Sequence, residues 1–295
     1  MKLKKEVSTG ERLYKLFVYL VLGILAILIL IPVAWVFMAS VKETSEHYGG
    51  PWELPTHIHW QNFVEAWTTS KMGDYMGYSV LVTGLALVIL LVVALPAAYC
   101  LARFKFLGQK FLNTCFMAGL FINVNYIVVP IYLMLNDGDM ILRPILGDGS
   151  LLNNHIVVAV IYAATALPFT IYLLSSYFQT LPHDFEEAAY MDGAGYTRTM
   201  VQIIFPMAKP SIITVILFNF LSFWNEYIIV KTLITDRDMW TLPAGLLNLM
   251  QAQQSSANYG PMYAGLVLVM VPVLVLYMCV QKNLTKGMTV GGLKG

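Results

Sequence analysis

HDFEEAAYMDGAGYTRTMVQIIFP, residues 183–206, is an acidic passage in an otherwise mostly apolar chain. It gathers Asp184, Glu186, Glu187 and Asp192 around an alanine pair and two glycines. The 295 residues as a whole are 58% hydrophobic and only 12% charged, with a mean hydropathy of +0.67. Soluble domains carry about 25% charged residues. Too little polar surface remains to coat a globule of this size, and long uncharged runs are a membrane signature. The acidic passage therefore reads as a loop between membrane spans.

Six apolar stretches are long enough to cross a hydrocarbon layer of about 30 Å as helices. They lie near Leu16–Val41, Met76–Leu101, Phe111–Leu135, His155–Tyr177, Pro210–Val230 and Pro261–Gln281. Helices are required because lipid offers the backbone no hydrogen-bond partner. The first run follows Lys2, Lys4 and Lys5 but is too long for a signal core and lacks an A-x-A site, so it reads as an uncleaved helix. The chain thus divides into a segment 1–15, a six-helix domain 16–281 and a tail 282–295. With the N-terminus inside, the inner segments hold thirteen Lys and Arg and the outer ones five: Lys42, Lys71, Arg143, Lys231 and Arg237. Basic residues favour the cytoplasmic side, which predicts both termini and residues 183–206 there. Outside, "GGPWELPTHIHWQNFVEAW" (residues 49–67) offers Trp52, Trp60 and Trp67 for an interfacial belt.

Within the acidic passage Pro182 ends what precedes, and Asp184 is placed as an N-cap with Glu187 three residues on, close to a capping box. A helix from Phe185 to about Asp192 is expected, terminated by Gly193 and Gly195. A second, Tyr196–Ile204, should stop at Pro206. The two would form a knob presenting Ala188, Ala189, Gly193 and Ala194 for close contact. An enzyme needs a nucleophile, an acid–base pair or a metal cluster in a pocket, and the passage supplies none; catalytic and metal-binding residues are expected nowhere in the chain. A docking element fits better.

Glu187-Ala188-Ala189, three residues, Gly193, nine residues, Ile203, one residue and Phe205-Pro206 resemble the EAA motif, EAA-x3-G-x9-I-x-L-P, of permease subunits in bacterial ABC importers. Phe205 in place of Leu is the one departure. "LPHDFEEAAYMDGAG", "PMAKPSIITVILFNFLSFWNEY" and the terminal "GGLKG" resemble the carbohydrate branch, subunits similar to the maltose permease protein MalG, over nearly the whole chain. The resemblance implies an all-α integral membrane protein of the MetI-like permease fold in the bacterial cell membrane, passing a carbohydrate inward. It implies that Glu187, Ala188, Ala189, Asp192, Gly193, Ala194, Ile203 and Pro206 form the contact with a separate ATPase, with the tail 291–295 close by. It further implies a second homologous permease, two ATPase subunits and an extracellular solute-binding protein as partners. ATP and magnesium would sit on the ATPase; this chain has no GxxxxGK[ST] phosphate loop.

Ionisable and amide groups inside the membrane are functional candidates. Asn219, Ser222 and Glu226 recur at i, i+3 and i+7 and should share a face of the fifth helix. With Asn225 and with Asn123 on the third span they are candidates for the translocation path. Pairing with a neighbouring helix is the alternative reading for Glu226, as helix–helix hydrogen bonding is for Asn123 and Asn125. Pro32, Pro96, Pro130, Pro168 and Pro272 fall within five spans, where membrane helices tolerate them. Cys100, Cys115 and Cys279 have neither metal nor disulfide spacing. His57 and His59 lack a third ligand. A net charge of +1 excludes the clustered basic face that nucleic acid requires. A secondary transporter would show midplane charges and an internal repeat, and neither is present.

Overall fold

The computed structural model describes residues 9–146, 151–256 and 258–291; Lys2, Lys4, Lys5 and residues 292–295 of the expected tail lie outside them. Every regular element there is helical: α1 (Thr9–Ser40), α2 (Thr44–Gly49), α3 (Gln61–Trp67), α4 (Met72–Arg103), α5 (Gln109–Gly119), α6 (Val124–Leu146), α7 (His155–Thr180), α8 (Asp184–Met191), α9 (Tyr196–Thr199), a π turn at Met200–Ile204, α10 (Phe205–Met207), α11 (Lys209–Trp224), α12 (Ile228–Leu233), a 3-10 turn at Arg237–Met239, α13 (Leu242–Ser256) and α14 (Tyr259–Gly291). Four of them match the first, second, fourth and sixth expected spans in length and apolarity: Gly10–Ser40, Met72–Arg103, His155–Thr180 and Tyr259–Gln281.

The third and fifth spans depart from the straight helices expected. α5 and α6 meet at 104°, while the rod Tyr196–Met207, expected as a separate helix ahead of the fifth span, meets α11 at 76°. In the third, Asn123 Oδ1 accepts from Asn125 N at 2.9 Å, an Asx turn that competes with helix continuation. In the fifth, α11 ends at Trp224 instead of running to Val230. Asn225 Nδ2 donates to the Leu221 carbonyl at 2.7 Å and Glu226 Oε1 accepts from Ile229 N at 2.8 Å. The Asn225 side chain adds a second bond to a carbonyl its own N–H already reaches, and the Glu226 carboxylate takes over a backbone N–H that a continuous helix would need.

The chain forms two compact units, residues up to 70 with 249–268, and residues 71–248 with those from 269 onward. In the first unit the buried Asn62 amide donates to the Ser40 and Lys42 carbonyls at 2.9 and 2.8 Å. Lys42, counted as an outer charge, is itself buried and donates to the Gly50 and Pro51 carbonyls at 2.9 and 3.2 Å. Gly260 lies so close to the Asn62 side chain that a Cβ would collide with it. Trp35 packs against Trp52 and Tyr263 with ring centroids 5.8 and 5.2 Å apart.

In the second unit α4 lies along α7. Its buried row is Ser79, Val82, Thr83, Ala86, Leu90, Ala94 and Ala98, and α7 answers with Val158, Ala159, Tyr162 and Ala163. Helices in lipid gain nothing from burying apolar surface against each other, so close approach of small residues supplies the attraction. The contacts between connecting segments fall into two sets. At one end Arg103 reaches Leu181, His183 and Glu186, and Phe104 meets Tyr196. At the other, Lys71 pairs with Asp238 at 2.6 Å, Asn153 Oδ1 accepts from Thr235 N at 2.6 Å, and His155 contacts the Met239 carbonyl at 2.8 Å. The segment after α4 thus meets the one after α7, while Lys71 ahead of α4 and Asn153 and His155 at the start of α7 meet residues 235–239.

Candidate functional site

α8 opens one residue earlier than the sequence suggests. His183 is the N-cap, and its carbonyl accepts from Glu186 N at 2.9 Å and Glu187 N at 3.1 Å. No side chain caps the helix, so the capping box expected of Asp184 and Glu187 is absent. His183 already has helical backbone angles, which removes the extended geometry a capping side chain needs. Asp184, Glu186 and Glu187 instead occupy the first turn, where carboxylates suit the positive end of the helix dipole. The other end is a Schellman motif: Ala194 N donates to the Ala189 carbonyl at 2.9 Å and Gly193 N to Tyr190 at 3.0 Å. Gly193 takes φ +79° there, a conformation glycine adopts without strain.

This short helix has two faces. Glu186 and Ala189, one turn apart, are buried; Glu187, Ala188, Met191, Asp192 and Gly193 are exposed, and Ala194 is half-buried. Ala189 therefore packs inward, contrary to the expected knob of four exposed small residues. Beyond it α9, the π turn and α10 run as one rod to Met207, and the chain breaks at Ala208, not at Pro206 as anticipated. Phe205 N reaches back to the Met200 carbonyl, five residues instead of four, and this wider turn accommodates a proline inside the rod. Ile203 is half-buried, Pro206 exposed and Ile204 fully buried. Phe205, the departure from the motif, stacks on Phe178 with centroids 6.2 Å apart.

The inward face meets α4. Arg103 and Glu186 are among the most enclosed charged side chains, 2% and 9% exposed, with Nε and Oε1 3.1 Å apart. That contact is ionic, because neither atom completes a hydrogen bond in it. Arg103 also donates to the Leu181 carbonyl at 2.8 Å and contacts His183 Nε2 at 3.2 Å. A guanidinium only donates, so Nε2 accepts; His183 Nδ1 then donates to Glu186 Oε2 at 3.1 Å. A cavity of about 280 Å³ opens beside the cluster, bordered by Tyr99, Phe104, Glu187, Tyr190 and Tyr196. Burial, with Tyr196 and Glu186 adding to it, raises the Tyr190 phenol above its ordinary pKa.

The polar residues of the fifth span separate. A second cavity, about 410 Å³, is bordered by Asn219, Ser222 and Glu226 together with Asn125, Tyr162 and Thr165. Asn225 turns to its own helix and Asn123 to the start of α6, so neither borders the cavity. Glu226 lies beyond the end of α11 and does not share a helix face with Asn219 and Ser222 as expected. Its Oε2 accepts from the buried Tyr162 hydroxyl at 2.7 Å. Asn219 is buried, and its amide donates to Thr170 Oγ1 at 3.0 Å and to the Val215 carbonyl at 2.8 Å. Tyr162 stacks on Phe223 at 5.3 Å, and Phe169 meets Phe218 edge-on at 6.0 Å. Arg103, His183, Glu186, Tyr162 and Thr170 were not singled out from sequence. The position of Arg103 at the foot of a long apolar run was the available signal for the first of them.

Residues 91–290 match the family described as binding-protein-dependent transport system inner membrane component. The chain is 34% identical over 290 residues to the diacetylchitobiose uptake system permease protein NgcG of Streptomyces coelicolor, covering 98% of this chain and 92% of that one. It is 29% identical to the multiple sugar-binding transport system permease protein MsmG of Streptococcus mutans, covering 99% and 100%. Its fold is shared with a crystal structure of a bacterial ABC transporter involved in import of the acidic polysaccharide alginate: TM-score 0.77, 23% identity, 95% of this chain and 99% of that one. The acidic loop and the polar cavity both fall inside the matched region, and the chain belongs to the inner membrane component family of binding-protein-dependent transport systems, as a multi-pass membrane permease of the MetI-like fold.

Proposed function

We propose that this chain is one of two permeases in an ATP-driven importer, that it passes a sugar delivered by an extracellular solute-binding protein, and that α8 docks on an ATPase. The observation that carries the reading is the exposed face of α8. Glu187, Ala188, Asp192 and Gly193 form a surface of two carboxylates and two small residues at a helix end held by a Schellman motif, while the opposite face is fixed to the protein. ATP and magnesium would bind the partner ATPase, of which two copies are expected, and α8 with both termini would lie in the cytoplasm. The relatives named for diacetylchitobiose and for multiple sugars support a carbohydrate cargo. The cavity bordered by Tyr162, Asn219, Ser222 and Glu226 supplies what a sugar requires, hydrogen-bonding groups beside aromatic faces. A secondary transporter is not favoured for a member of this family.

The test is purification with the products of neighbouring genes and a sugar screen on the solute-binding protein, followed by uptake of the sugar found. ATP hydrolysis by the complex and none by the isolated chain is expected; turnover by the chain alone overturns the assignment. Orientation is read separately. With Cys100, Cys115 and Cys279 replaced, single cysteines at exposed positions of 42–75 and 231–260, such as Trp52 and Asp236, should react with an impermeant maleimide in intact cells, and those in 184–206 should not.

A further inference from the structure

We propose that Arg103, Glu186 and His183 moor the docking helix to the membrane domain, which makes Arg103 a positioning residue for energy coupling. The proposal rests on the reading of α8 as the ATPase contact. It adds how a helix of eight residues, too short to be stable alone, is held at a fixed angle to span α4.

One arginine at the last turn of α4 engages three successive features of the entry to α8: the Leu181 carbonyl before it, the His183 ring at its N-cap and the Glu186 carboxylate in its first turn. His183 closes the ring by contacting both the guanidinium and the carboxylate. Such a three-point attachment fixes rotation about the helix axis as well as position, and rotation decides whether Glu187 or Glu186 faces outward. The planar fork of arginine can meet several acceptors at once, which a lysine ammonium on a flexible stem does not reproduce. Both charges are enclosed, so removing one leaves the other unpaired in a site with little solvent. A force applied to the exposed face of α8 is transmitted through this cluster to α4, and from α4 to α7, along which it packs.

The experiment uses the full complex in nanodiscs with its solute-binding protein. It measures the ATPase retained per permease and the stimulation of MgATP hydrolysis by the binding protein, at matched permease abundance. Arg103→Gln and Glu186→Gln should each lower ATPase retention about tenfold. The double variant should lose less than the sum of the two, because a neutral pair replaces one orphaned charge. His183→Ala, at an exposed position, should lower retention about threefold with insertion intact, and it decides the matter if the arginine variant fails to insert. Strict additivity, or normal retention and stimulation in His183→Ala and Arg103→Gln, overturns the mooring. Gly193→Asp is measured in parallel. If it loses the ATPase while the Arg103 and His183 variants keep it, the mooring alone fails; if it keeps the ATPase, the docking assignment fails and the mooring with it.

Discussion

Glu186 and Glu226 are the same residue placed in two different electrostatic settings within one unit. Glu186 is enclosed against a guanidinium and an imidazole; Glu226 is held by a tyrosine hydroxyl and a backbone N–H. A carboxylate paired with a cation presents little net charge and is locked by it, since loss of either partner strands the other. One held by neutral donors has no counter-charge among them and borders the adjoining cavity. The first arrangement suits a joint that must transmit force, the second a wall that must meet a polar solute. Glu186 is buried and Glu226 half-buried, and the partners more than the residue type distinguish the two settings.

The most severe way to break the contrast is at the exposed face of the joint. A Cβ on Gly193 meets nothing within 4 Å in the chain itself, so Gly193→Asp costs only the positive φ, about 1–2 kcal/mol. The chain should remain in the membrane, while uptake of the screened sugar and ATPase retention are abolished, because the obstruction arises only on docking. Full uptake would reduce the loop to a turn. Next in size is Glu187→Ala. Since Glu187 makes no capping bond, stability should be unchanged within about 0.5 kcal/mol, and a fall in uptake of about tenfold or more at normal abundance must come from the lost partner contact.

On the cavity side, Tyr162→Phe removes the hydroxyl that donates to Glu226 Oε2 and leaves a part-buried carboxylate with one backbone donor. The expected cost is about 1–3 kcal/mol, seen as a lowered unfolding temperature in detergent, and Tyr162→Phe with Glu226→Gln should be milder than Tyr162→Phe alone. Asn219→Leu tests the helix-pairing role of a residue whose amide hydrogens are both engaged. Hydrogen bonds between membrane helices average about 0.6 kcal/mol, so a small stability loss with normal uptake would place Asn219 in packing and leave Ser222 and Glu226 to meet the solute.

The contrast also separates what sequence reveals from what it hides. Four spans follow from apolar runs, and the short helix of the acidic loop with its glycine end from local spacing, because Glu187-Ala188-Ala189 and Gly193 lie within two turns of one another. The bend at residues 120–123 was hidden, since Asn123 breaks the helix through side-chain competition that hydropathy does not register, whereas the break at Ala208 falls between the helix expected to stop at Pro206 and the span expected to begin at Pro210. Glu226 was placed on a helix face by counting residues, and two residues that cap and break that helix, Asn225 and Glu226 itself, defeated the count. Glu186 was counted among the carboxylates but given no role of its own beside the motif residue Glu187, because its partner Arg103 lies on another span. His183 and Arg103 are 80 residues apart, a pairing that no local pattern encodes.

The smallest expected effect tests the start of α8 itself. If Asp184 were an N-cap, replacing it with alanine would cost about 0.5–2 kcal/mol. His183 occupies that position and no side chain caps the helix, so Asp184 acts only through its charge near the positive end of the dipole. Exposed first-turn carboxylates contribute about 0.3–1 kcal/mol at low ionic strength and less as salt screens them. Asp184→Ala should therefore lower stability by a few tenths of a kcal/mol in dilute buffer, and the difference should fade in 0.5 M salt, where a true cap would keep its hydrogen bond. Uptake should stay within about twofold of normal, because Asp184 belongs neither to the moored cluster nor to the Glu187–Gly193 surface. A loss above 1 kcal/mol that salt leaves untouched would return Asp184 to the capping position.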